Sequence, residues 1–281
     1  MLRRLAAALP LCAVCGVTAC TLLVDTGGLS NAGAGGAPND GAVPMLPVSE
    51  AGADGAASDA AAGDAPSSSS PCATVHAFCD DFDTGTTDLA ARWDVLHTTA
   101  GPMLLDTTQP KSPPRSLRMH LTPTTGNKDS RLGKNVAVIS GTARVELDIF
   151  IPTPAGPWTE VDPIGVQLTP TPTGYDFHGL YLVIRSDSTF LQYFAAKKAG
   201  NLDNRAPLST ISKDVWHHVV ITFSYATTPP KGTISVDGDV GSVDMVTPVA
   251  TKLELQLGAS YTQDTNLDWS LYFDNATIDT P

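Results

Sequence analysis

From residue 72 onward the chain alternates between apolar and polar positions. Val145, Leu147, Ile149 and Ile151 interleave with Arg144, Glu146, Asp148 and Phe150; Ile164, Val166 and Leu168 with Gly165 and Gln167; Leu253, Leu255 and Leu257 with Lys252, Glu254 and Gln256. A strand sends successive side chains to opposite faces, so period two marks antiparallel strands with one face in a core and one in water. Further strands are expected at Arg115–Leu121, Gly179–Arg185, Thr189–Ala195, Trp216–Ser224, Gly232–Val236 and Ser270–Ile278, and Asp237-Gly238 reads as a hairpin turn. Short strands, Pro- and Gly-rich turns and the lack of a long amphipathic pattern predict an all-β, two-sheet antiparallel sandwich over residues 72–281.

The first 71 residues follow other rules. Arg3 and Arg4 precede a short apolar run, Leu5 to Val17, which ends in Val17-Thr18-Ala19-Cys20. The run is too short for a permanent bilayer span and reads as a removable signal, residues 1–19. The Cys20 box resembles the lipobox of signal peptidase II substrates. That resemblance implies a lipidated Cys20, a bilayer as partner and an extracytoplasmic address; Thr21 after the cysteine implies the outer membrane. Residues 20–71 are dominated by Gly, Ala, Ser, Pro and Asp, with Ser67 to Ser70 as a serine run and no Lys or Arg. Such a composition builds no core and predicts a disordered linker spanning about 40 Å at roughly 5–6 Å × √n.

Cysteine usage and charge agree with export. Cys12 and Cys15 leave with the signal and Cys20 is blocked, so Cys72 and Cys79 remain, and an even pair outside the cytoplasm predicts a disulfide. Metal ligation by the pair would need further cysteines or a His-x-x-x-His spacing nearby. The whole chain has a formal charge of −12, which becomes −14 without Arg3 and Arg4 and about −8 for the sandwich alone. That surface argues against nucleic acid as a partner and tolerates glycans and divalent cations.

Trp216-His217-His218-Val219 with Phe223, followed by Ile234-Ser235-Val236-Asp237-Gly238, resembles the signature of laminin-G-like, concanavalin A-like jelly rolls. Cys79-Asp80-Asp81-Phe82-Asp83 with Trp93, and Tyr272-Phe273-Asp274-Asn275-Ala276-Thr277-Ile278, resemble the paired first and last strands of such sandwiches. The resemblance implies a concanavalin A-like jelly roll, a fold shared by lectins, glycosidases, lyases and adhesion modules. It further implies a structural calcium at Asp81 and Asp274.

Two catalytic patterns are partly present. Glu146-Leu147-Asp148-Ile149-Phe150-Ile151 resembles the Glu-x-Asp-x-x-Glu strand of laminarinase-type glycosidases, but Ile151 stands where a proton donor is required. Arg144-Val145-Glu146-Leu147, Gln167 and Tyr193 through Gly200 resemble the three blocks of alginate-lyase-type jelly rolls, with Thr169 in place of a histidine and an insertion in the third block. The adjacent His217 and His218 face opposite sides of a strand and cannot share an ion. The expected function is therefore carbohydrate binding or adhesion, the alternatives being a lyase-like enzyme with a degenerate site or a structural envelope protein. A concave polar face carrying Arg144, Glu146, Asp148, Gln167, Lys252, Glu254 and Gln256 is the expected ligand surface, with the loop aromatics Trp158 and Tyr175 beside it.

Overall fold

The computed structural model describes residues 70–123, 129–137, 141–170, 177–196, 200–246, 250–262 and 267–280. Cys20, the linker and Tyr175 lie outside them. Among the described residues the chain forms β1 (Phe78–Asp80), β2 (Val95–Thr98), β3 (Met103–Asp106), β4 (Ser116–Leu121), β5 (Ser130–Ala137), β6 (Thr142–Phe150), β7 (Glu160–Pro170) and β8 (Phe177–Arg185). It continues through β9 (Thr189–Ala196), β10 (Leu202–Leu208), β11 (Trp216–Ser224), β12 (Lys231–Val236), β13 (Asp239–Asp244), β14 (Ala250–Ala259) and β15 (Trp269–Asp279).

The strands divide into two antiparallel sheets. One runs β13-β12-β11-β6-β15-β4-β3, with β1 also pairing β15, and the other runs β10-β9-β8-β7-β14-β5-β2. We refer to them as the eight-stranded and the seven-stranded sheet. The expected strands are all present, and the register puts the first and last together: Phe78 faces Ile278 and Asp80 faces Ala276. Six further strands, β1, β2, β3, β5, β10 and β13, are short or polar and carry little alternation of their own. The β12–β13 turn has φ of 50° at Asp237 and 90° at Gly238, positive at both central positions as a tight hairpin requires.

Alternation selects the core. Val145, Leu147 and Ile149 of β6 meet Ile164, Val166, Leu168, Leu253, Leu255 and Leu257 of the opposing sheet, and each is at most 1% exposed. Burying one such side chain contributes roughly 1.5–3 kcal/mol. At the sandwich edge Trp93 packs between Phe78 and Phe82 and donates its indole N–H to Asp80 Oδ2 at 2.8 Å. The Cys72–Cys79 disulfide, with Cα atoms 5.5 Å apart, ties the turn at Pro71–Ala73 to β1.

Candidate functional site

The expected single polar face is two faces. Arg144, Glu146 and Asp148 lie on β6 of the eight-stranded sheet, whereas Gln167 lies on β7 and Lys252, Glu254 and Gln256 on β14 of the seven-stranded sheet. Their apolar neighbours all point inward, so the two polar sets leave opposite sides of the sandwich. Period two distinguishes inside from outside; it carries no information about which sheet a strand joins.

On the eight-stranded side the polar residues serve one another. Glu146 pairs with Arg144, and His218 reaches Asp148 Oδ1 at 3.1 Å and Glu146 Oε2 at 3.4 Å. Asp148 is 7% exposed and accepts a further bond from Asn275 Nδ2 at 2.8 Å. Glu146, Asp148, His218 and Asn275 line, with His76 and Thr277, a shallow hollow of about 230 Å3.

The larger cleft, about 700 Å3, lies on the seven-stranded sheet. Arg131 (β5), Glu160, Asp162 and Gln167 (β7), Tyr181 and Arg185 (β8), Gln192 and Phe194 (β9), Arg205 (β10) and Gln256 (β14) face it, with Ser260 and Tyr261 at one wall. Its floor is a tyrosine laid on glycines. A Cβ at Gly165 would come within 2.8 Å of Tyr181 Cε1, and one at Gly179 within 2.5 Å of the phenol oxygen. Only hydrogen at both positions lets the ring lie along the sheet. Burial, first, and the nearby Asp162 push the Tyr181 phenol up, which keeps it protonated. Beside it Gln256 Nε2 donates to Gln167 Oε1 at 3.1 Å and to Glu254 Oε1 at 2.9 Å, so the glutamines are held in fixed orientations.

One end of the cleft concentrates charge. Arg185 pairs with Glu160, and Arg205 makes bonds of 3.1 and 2.7 Å to Asp203. The two guanidinium carbons stand 5.1 and 5.0 Å from the ring centroid of Phe190. Asp162 is 7% exposed, and its Oδ1 has no hydrogen-bond partner among the described residues. Burial above all, and then the charge of Glu160, push its carboxyl up to about 8 against the pull of Arg185 and Arg205. Asp162 is therefore a protonated acid at neutral pH.

Other expected site residues are placed elsewhere. Trp158 is half buried, its ring 5.1 Å from that of Trp269 and covered by Lys213 Nζ at 4.9 Å, and it does not border the cleft. Of the lyase-like blocks, Gln167 and Phe194 reach the cleft, whereas Arg144 and Glu146 face away and Tyr193 points into the core, where its hydroxyl lies 2.7 Å from His178 Nδ1. His217 is buried with Nδ1 2.6 Å from Asp237 Oδ2, while Nε2 lies 3.3 Å from Ser212 Oγ. This has the order of a nucleophile, a base and its orienter. Yet Nε2 is closer, at 2.9 Å, to the Ser212 carbonyl, which only accepts; the nitrogen thus carries a proton and cannot take one from the hydroxyl.

Asp81 Oδ1 accepts from the Asp83 and Thr84 amides and the Thr84 hydroxyl, and its Oδ2 from Ser70 Oγ at 2.6 Å. Asp274 is fully buried, its Oδ2 accepting from the Lys111 and Ser112 amides and its Oδ1 from Ser112 Oγ and the Asn275 amide. Both carboxylates are thus engaged by N–H and O–H donors, which an ion would have to displace. Among the described residues no group of three or more His, Cys, Asp or Glu side chains is arranged to hold a metal.

No protein-family model and no curated protein matches the chain. Among solved structures, the cellulose-induced protein Cip1 is similar over 73% of this chain and 97% of its own, with 17% identity and a TM-score of 0.50. A carbohydrate esterase from the Shiga toxin-encoding bacteriophage phi24B is similar over the same shares, with 10% identity and a TM-score of 0.49. The alginate lyase A1-II′ covers 66% of this chain and 85% of its own at 14% identity and a TM-score of 0.43. The described domain is a concanavalin A-like jelly-roll sandwich.

Proposed function

We propose that the jelly roll is a carbohydrate-binding module, carried outside the cytoplasm on a chain anchored by lipid at Cys20. The observation that carries this reading is the cleft of the seven-stranded sheet. Sugar recognition needs planar donors and acceptors in fixed orientations and an aromatic surface for the apolar side of a ring. Gln167, Gln192, Gln256 and the arginines supply the first; Tyr181, Phe194 and Tyr261 supply the second. Sharing its fold with a protein named for induction by cellulose is in keeping with this.

We favour binding over lyase chemistry because burial pushes the phenol of Tyr181, on the cleft floor, up and so away from the ionised form that a base would need. A lyase base must take a proton from the sugar. The deciding experiment presents the full-length protein to a panel of immobilised polysaccharides and scores both retention and cleavage. Retention without cleavage is the expected result. Release of unsaturated oligosaccharides would replace binding with lysis, and retention of no polysaccharide would leave a structural envelope protein.

A further inference from the structure

We propose that the cleft selects glycans bearing an anionic substituent, carboxylate or sulfate, and that Asp162 meets that substituent as a hydrogen-bond donor. The inference rests on reading the cleft as a glycan site and specifies what that site prefers.

The first ground is an imbalance between donors and acceptors. Arg131, Arg185 and Arg205 can only donate, and the protonated Asp162 brings an O–H. The acceptors are spent within the protein: Arg131 lies 3.4 Å from Asp129, Arg185 pairs with Glu160 and Arg205 with Asp203, and Glu254 is engaged by Gln256. A site richer in donors than acceptors matches a ligand richer in acceptors than donors. Neutral sugar hydroxyls do both; carboxylates and sulfates only accept.

The second ground is that the donors are already placed. Arg185 spends its Nε on Glu160, and Arg205 its Nε and one terminal nitrogen on Asp203, so each guanidinium retains further N–H groups in its fork. Contact with Phe190 fixes both planes. Asp162, more than nine-tenths buried and with Oδ1 unpartnered among the described residues, lies in the same cleft lining. The titratable groups around it are Glu160 on its own strand, Tyr181 and Arg185 on β8, Arg205 on β10, Arg131 on β5 and Tyr261 after β14, whose carbonyl accepts from the Asp162 amide at 3.1 Å. Loss of its proton would set a second carboxylate beside Glu160 and turn a donor into an acceptor, repelling the anion.

The test titrates the full-length protein with dextran, cello-oligosaccharides, dextran sulfate and polygalacturonate. At pH 7 at least one of the two anionic polymers should bind about tenfold or more tightly than the neutral ligands, and which one binds identifies sulfate or carboxylate. Its Kd should rise about tenfold between pH 7 and pH 9, as follows when only the protonated form of a group titrating near 8 binds. Asp162→Asn keeps a donor without a titratable proton, so it should bind at pH 7 and lose the pH dependence. Arg205→Ala, a surface change, should weaken the anionic ligand alone.

Equal affinity for charged and neutral glycans overturns the inference while leaving the glycan reading intact. So does an unchanged pH dependence in Asp162→Asn. Binding of none of the four ligands overturns both.

Discussion

Glu160 and Asp162 leave β7 two residues apart and each is 7% exposed, yet only Glu160 is reached by a guanidinium, that of Arg185. The pair consequently divides into a compensated carboxylate and a protonated acid. Asp162 titrates near 3.8 in the unfolded chain and at about 8 in the fold. Between those values the native state holds a proton that the unfolded chain has released, so stability falls as pH rises through the window and levels off above it. Asp274, raised to about 7 chiefly by burial, acts in the same direction. Asp162→Asn should melt close to the parent at pH 4 and roughly several degrees higher at pH 8. Thermal unfolding at the two pH values measures this, and an equal shift at both would remove Asp162 as the source.

The two outer faces separate binding from fold. On a glycan that the parent retains, Gln167→Ala and Gln256→Ala should lose retention, whereas Arg144→Ala, on the other sheet, should keep it. Each change should move stability by about 0.5 kcal/mol for the exposed Arg144 and by roughly 1 kcal/mol for the hydrogen-bonded glutamines. Loss of retention in Arg144→Ala alone would transfer the site to the hollow around His218.

Gly179 tests the cleft floor. In Gly179→Ala the new methyl meets the Tyr181 ring, with Cζ at 2.6 Å, and the tyrosine must lift. Overpacking of this kind costs about 1–3 kcal/mol and should also reduce glycan retention. Gly156→Ala, which has open space around its Cβ, serves as the control. Melting curves and retention measured together distinguish a displaced tyrosine from simple unfolding.

Calcium at Asp81 and Asp274 is tested by chelation followed by calcium re-addition, with the melting temperature as readout. Because amide and hydroxyl donors already engage both carboxylates, the expected result is an unchanged midpoint. A rise on adding calcium would mean that Asp274 exchanges those donors for the ion.

The lipid anchor is tested by labelled fatty acid. Cys20→Ser should abolish incorporation and release the protein from the membrane fraction. Continued labelling would withdraw the lipoprotein reading.

The sandwich is written locally in the chain, because inward and outward positions alternate and each strand records its own burial. Val145, Leu147, Ile149, Leu253, Leu255 and Leu257 were legible as core for that reason, and the Cys72–Cys79 pair from the count of remaining thiols. Which polar sets share a face depends on sheet order, since β6 and β7 follow one another in the chain yet join opposite sheets. The pairing register of β7 shifts between Val161 and Ile164. The bulge puts Glu160 and Asp162 on the same side as Gly165 and Gln167, although strict alternation would assign them to the core side with Ile164. Tyr181 had one local signal, a polar tip within the apolar run from Leu180 to Ile184, but its place in the cleft depends on glycines of two neighbouring strands. Arg131, Arg185 and Arg205 come from three strands distant in sequence, and what brings them together is sheet order, a property of pairing between strands that no single segment encodes.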